Sequence, residues 1–87
     1  MLVSIITLTY NRASFLKEAL NSIFSQTFKD FEVLVGDDGS TDKTPEIIKE
    51  FSGDPRLKYI HGEHVYLIKN RQRTISRAQG KYIAILD

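Results

Sequence analysis

The sequence has no cysteine, which excludes disulfides, thiol catalysis and zinc–thiolate centres and leaves the redox compartment unread. It has almost no net charge: 12 basic residues against 11 acidic ones leave +1. That balance argues against a partner held by bulk electrostatics, nucleic acid above all. No apolar run approaches the roughly 20 residues that a membrane-spanning helix needs. The first residues, MLVSIITLTYNR, carry neither the basic lead nor the small-residue cleavage site of a secretion signal. The expectation is a cytoplasmic chain with no membrane segment of its own. Two phosphate-binding signatures are also missing. No G-x-G-x-x-G follows the first apolar run, so a dinucleotide oxidoreductase loses its main support, and no G-x-x-x-x-G-K-[ST] marks a P-loop. The 87 residues leave room for one domain with a modest core.

What is present alternates. Residues 2–8 (LVSIITL), 31–35 (FEVLV) and 81–86 (KYIAIL) are short apolar runs, rich in β-branched side chains, of the kind that suits a strand covered on both faces. RLKYIH at 56–61 alternates and reads as a strand at a sheet edge. Between the first two runs, Phe15, Leu16, Ala19, Leu20, Ile23 and Phe24 recur at helical spacing as one apolar stripe. Thr44-Pro45-Glu46 opens a second helix, with Ile47, Ile48 and Phe51 as its buried side and Gly53 and Pro55 at its end. A third helix is expected over 66–79, with Leu67, Ile75 and Ala78 on one face, Arg71 interrupting it, and Gly80 as the stop.

Strands alternating with helices predict an α/β fold, a Rossmann-like three-layer sandwich. Right-handed crossovers with one reversal give a mainly parallel sheet in the order 3-2-1-4. In such sheets ligands bind beyond the carboxyl ends of the strands. The unusual polar groups gather there: Thr9-Tyr10-Asn11-Arg12 after the first strand and Asp37-Asp38-Gly39-Ser40 after the second. His61 to His64 follow the third, and Asp87 closes the fourth. Adjacent carboxylates repel, so Asp37 and Asp38 imply partners that offset the cost. A strand-end carboxylate flanked by backbone N–H groups complements the N3–H edge of uracil. Cytosine, with an acceptor at N3, would leave a buried polar group unpaired. Tyr10 offers a face on which such a ring can stack. His61 and His64 alone do not make a zinc site and are expected on a solvent-exposed loop. Thr41 and Asp42 are expected to cap the second helix. Asn11 and Arg12 either line the pocket or open the first helix.

Three stretches carry a resemblance: TYNR at 9–12, QTFKDFEVLVGDDGSTD at 26–42 and GKYIAILD at 80–87. In this order and spacing, the chain from Val3 to Asp87 resembles the start of a family 2 glycosyltransferase with the GT-A fold. The resemblance implies a nucleotide-diphosphate sugar donor of the UDP, dTDP or GDP type and transfer with inversion. It implies a donor site that includes Thr9, Tyr10 as the base-contacting aromatic, Asp38 as the base-reading acid, neighbouring Asp37, and Arg71. It also implies Mg²⁺ or Mn²⁺ in the complete enzyme, with Asp87 as the first acid of the D-x-D motif. Residues 63–79 depart from the family pattern. Glu63 and Arg71 align, but the usual glycines are replaced by EHVY at 63–66, and Gln72 stands where asparagine is common.

On this resemblance, residues 1–87 are one nucleotide-sugar-binding domain cut at the D-x-D motif and inactive alone, with the catalytic base beyond it. A non-catalytic nucleotide-binding or protein-interaction module of the same fold remains the alternative. A phospho-receiver fits less well, because its acid pair follows the first strand. The apolar strand 81–86 at a sheet edge predicts self-association through that edge.

Overall fold

The computed structural model describes residues 1–86. The elements run β1 (Val3–Thr9), α1 (Ala13–Ser25), β2 (Phe31–Asp37), α2 (Thr44–Phe51), β3 (Leu57–His61), α3 (Tyr66–Ile75) and β4 (Tyr82–Leu86). All pairings are parallel and the order is β3-β2-β1-β4, as the alternation of strand and helix patterns predicts. β2 runs two residues beyond its apolar stretch, so Asp37 is a strand residue and not the start of a loop. The register sets Thr9 beside Asp37 and Asp37 beside His61, so the ends of three strands form one rim. Among the described residues, no helix is long and apolar enough to cross a membrane.

The two faces of the sheet are covered differently. Leu16, Leu20 and Ile23 of α1 and Ile48 of α2 pack on Phe31, Val33 and Val35. The expected α1 stripe is therefore real but narrower than the pattern, since Phe15 stays 48% exposed. On the opposite face Ile6, Leu34 and Ile60 form a smaller apolar cluster, joined by Leu8, Ile75 and Ala78.

α3 covers that second face and departs from its sequence pattern. It ends at Ile75, short of 79, and the side chains it buries are Asn70 and Thr74. Leu67, expected inside, is 66% exposed. Asn70 Nδ2 donates to the Gly36 carbonyl at 3.0 Å, and Thr74 Oγ1 donates to the Asn70 carbonyl at 2.8 Å. Besides the apolar contact of Ile75, the helix lies against the sheet through hydrogen bonds that an apolar periodicity cannot register. Gly80 does not stop this helix. A Cβ there would come within 2.6 Å of Ser4 N, so the missing side chain lets the chain pass close to β1.

Below α3, at the N-terminal end of the strands, Glu32 is fully buried. Its carboxylate accepts from Ser4 Oγ (2.6 Å), Lys58 Nζ (2.5 Å) and the Gln79 backbone N–H (2.6 Å). Burial pushes its pKa up, but the hydrogen bonds from Lys58, Ser4 and Gln79 outweigh that and hold it below the usual carboxylate value.

Candidate functional site

At the opposite end of the strands, the two adjacent acids have separate tasks. Asp37 Oδ1 accepts from Ser40 N at 2.9 Å, and Oδ2 accepts from the Tyr59 hydroxyl. Burial first, and then the hydrogen bond and charge of Asp37, push the Tyr59 pKa up, so the phenol keeps its proton. Asp37 thus holds the turn and ties it to β3. Asp38 is 5% exposed, and its backbone N–H donates to the Thr9 carbonyl at 3.0 Å. Its Oδ1 accepts from Val65 N (2.6 Å) and Tyr66 N (3.2 Å), and its Oδ2 lies 2.9 Å from His64 Nδ1. Backbone N–H groups of the β3–α3 loop do surround Asp38, but they donate to its own carboxylate and do not stand free beside it.

The glycine between the acids and Ser40 has two reasons to be one. Gly39 has φ +79°, in the left-handed region, and a Cβ there would meet His64 N at 2.8 Å. Without a side chain at 39, the β3–α3 loop can lie against Asp38.

The neighbouring loops are tied by side chains. Asn11, at φ 51°, accepts from Thr41 N through Oδ1 at 2.7 Å, and its own N–H donates to Ser40 Oγ at 2.8 Å. Asp42 serves two helix starts. Its Oδ1 accepts from Thr44 N (3.1 Å) and Thr44 Oγ1 (2.6 Å), and its Oδ2 accepts from Ala13 N (3.1 Å). The hydrogen bond from the Thr44 hydroxyl leads the causes that lower its pKa. Thr41 does not cap α2; it belongs to the Asn11 tie.

Thr9, Tyr10, Arg12, Asp38, His64, Tyr66 and Asn70 line a cavity of about 380 Å³ at the carboxyl ends of β1 and β2, with Leu8 and Leu67 as its apolar wall. A smaller cavity of about 170 Å³ lies beside the β1–β4 reversal and shares Leu8, Thr9, Arg12 and Leu67 with it. Thr9, Tyr10 and Asp38, three of the site residues expected from sequence, are therefore brought together. Asp37 sits behind them with its carboxylate committed to the fold. Arg71 is elsewhere, in a groove with Leu67, Ile68, Gln72, Ile75 and Ser76. Of the arginines on α3, the one that reaches the strand ends is Arg73, whose Nη2 donates to the Asp37 carbonyl (3.2 Å) and Asn70 Oδ1 (3.0 Å), while Arg12 after β1 lines the cavity itself. Asp87 lies outside the described residues.

Among the described residues, no three His, Asp or Glu side chains gather to hold a metal. Asp37 and Asp38 are spent on hydrogen bonds to the chain. The described residues therefore do not by themselves fit a divalent-cation site.

Sequence reasoning missed His64. Its ring stacks on Tyr10 with centroids 4.4 Å apart and planes at 17°, and it touches the Tyr66 ring at 4.1 Å. His64 stays on a solvent-exposed loop as expected, whereas His61 ends β3; that the His64 ring lies on Tyr10 depends on Asp38, far away in the chain.

Residues 4–87 match the profile described as glycosyl transferase family 2. An uncharacterized glycosyltransferase of Rickettsia conorii is 42% identical over 85 residues, covering 98% of this chain and 14% of that protein. The crystal structure of S. aureus TarS 1–349 in complex with UDP-GlcNAc matches with a TM-score of 0.92 and 34% identity, over 100% of this chain and 26% of that one. The mannosyltransferase PcManGT from Pyrobaculum calidifontis, in complex with GDP-Man and Mn²⁺, matches with a TM-score of 0.83 and 28% identity. That match covers 93% of this chain and 25% of the mannosyltransferase. The chain thus spans about a quarter or less of the length of each of these proteins.

Proposed function

The chain belongs to glycosyl transferase family 2 and has the GT-A sheet order, and from that premise we propose that it is the donor-nucleotide part of a glycosyltransferase. The donor is a nucleotide-diphosphate sugar, and the reaction is inverting transfer to an acceptor bound outside these residues. The observation that carries this reading is the convergence of Thr9, Tyr10 and Asp38 on one cavity at the carboxyl ends of β1 and β2. A base stacks on Tyr10 and gives a ring N–H to Asp38, with Thr9 at the strand end beside them. Asp37 keeps the turn in shape by holding Ser40 and Tyr59. UDP-GlcNAc and GDP-Man in the related structures support a nucleotide-sugar ligand class. A divalent cation enters this proposal only through Asp87.

Calorimetry with UDP and CDP tests the reading. UDP binds more tightly, and Asp38→Asn abolishes the difference, because a charge-assisted hydrogen bond worth about 1.5–3 kcal/mol is lost. Equal affinities in the unmutated chain would remove Asp38 as the base reader. We also propose that the chain self-associates through β4, whose five residues are exposed along a free edge. Light scattering that reports a monomer at high concentration, unchanged by Ile83→Lys, refutes that.

A further inference from the structure

Building on the nucleotide-site reading above, we propose that His64 is an internal occupant of that site: its imidazole takes the place of the base, and a nucleotide binds by displacing it. The stack on Tyr10, 4.4 Å between centroids at 17°, leaves no gap for a second ring on that face. A ring inserted there would need roughly twice one stacking separation. The hydrogen bonding repeats the same chemistry. His64 Nδ1 is 2.9 Å from the Asp38 carbonyl oxygen and 2.9 Å from Asp38 Oδ2. The carbonyl oxygen is an acceptor only, so Nδ1 carries a proton and donates to it, with the carboxylate oxygen in close contact beside it. A planar ring that lies on Tyr10 and sets its N–H against Asp38 takes the place uracil would have in this site, although the acceptor His64 uses is the Asp38 carbonyl and it only contacts the carboxylate.

Asp38 has no equivalent alternative to offer. Its Oδ1 already accepts from Val65 N and Tyr66 N, so the oxygen open to a ligand is the Oδ2 that His64 holds. The loop that carries His64 is built to let go of it. Tyr66, where the loop enters α3, has φ 70°, a left-handed conformation unfavourable for a bulky side chain, and the residue is 71% exposed. Withdrawing His64 breaks one stack, its hydrogen bond to the Asp38 carbonyl and its contact with Oδ2, and the two backbone N–H groups can keep the rest of the loop on Oδ1. His64 therefore sets affinity without setting base preference. Every nucleotide has to expel it, while the choice between UDP and CDP rests on Asp38.

The test is NMR titration of the full chain with UDP and with CDP, alongside His64→Ala and His64→Asn. His64→Ala is expected to tighten both nucleotides by about two- to tenfold, the worth of one aromatic stack, with the UDP:CDP ratio unchanged. His64→Asn, which keeps an N–H donor but no ring, falls between. In the unmutated chain the His64 Cε1–H and Cδ2–H signals lose their ring-current shift as UDP is added. If UDP moves the Thr9 and Asp38 amides while the His64 ring signals stay put, His64 is no occupant, although the nucleotide site stands. Weaker or unchanged UDP binding by His64→Ala also overturns the proposal. If neither the unmutated chain nor His64→Ala binds UDP, the nucleotide reading and the proposal fall together.

Discussion

On one face of the sheet, Leu16, Leu20 and Ile23 meet Phe31, Val33 and Val35 through carbon alone. On the other, a smaller apolar cluster that takes in Ile75 is joined by polar contacts of α3 through Asn70, Thr74 and Arg73, and Glu32, Ser4, Lys58 and Gln79 share one hydrogen-bonded cluster beneath it. The two kinds of contact do different things. Apolar burial is non-directional and contributes about 25 cal/mol per Å², so the α1–α2 face supplies most of the stability. A buried hydrogen bond adds only about 0.5–1.5 kcal/mol net, but it specifies position. The α3 face therefore sets where the β3–α3 loop and β4 lie, and those elements carry His64 and lead to the end of the fourth strand.

Three substitutions would break or sharpen that division. The largest effect should come from the apolar face: Leu20→Ala, at a side chain with no exposure, is expected to cost about 2–5 kcal/mol in a urea melt. A loss below about 1 kcal/mol would mean that stability is not concentrated there. The second is Gly36→Ala. Its Cβ would stand 2.0 Å from Thr74 Oγ1, which predicts a loss of about 1–3 kcal/mol by overpacking. Adding Thr74→Ala should recover part of it in a double-mutant cycle, and strict additivity would show that α3 does not rest on Gly36 in solution.

The smallest effect concerns Glu32 and pH. Its carboxyl pKa is held below 4.5 in the folded chain, so the unfolded chain takes up the proton first as the pH drops. The stability it contributes is therefore complete above the usual carboxylate value and is lost as pH falls through the folded value. Asp54, held low chiefly by its hydrogen bond to Arg56, titrates in the same direction. Only the Glu32 share should vanish in Glu32→Gln. Urea midpoints from pH 7 to pH 3 should fall less steeply for this variant than for the unmutated chain; identical slopes would show that the cluster is not charged.

How much of this was legible depended on what each signal measures. A continuous apolar run marks a strand, so β1, β2 and β4 are legible to within two residues, but their cover is not: the run at 81–86 suits a strand covered on both faces, and β4 is exposed along its whole length. α1 was legible because Leu16, Leu20 and Ile23 face carbon. α3 was legible only in part: Ile75 and Ala78 pack on the sheet as their spacing predicts, but the fully buried residues of the helix are polar. Asn70 and Thr74 look like solvent-facing positions, and the exposed Leu67 looks like core. In the site, the expected Thr9, Tyr10 and Asp38 do share a cavity, yet the choice of Arg73 over Arg71 at the strand ends was invisible, since both lie on one helix and differ only in the direction they face.

The sequence by itself determined the parallel 3-2-1-4 sheet and the rim on which its polar residues gather. Hydrophobic patterning is local, and crossover handedness leaves few topologies. Only the tertiary structure decided how Asp37 and Asp38 divide their work and that His64 lies on Tyr10. Those outcomes rest on partners 22 to 28 residues away for the acids, Tyr59 for one and the His64–Tyr66 loop for the other. A hydrogen bond's partner is chosen by distance and angle in space, and neither exists until the sheet has brought the loops together.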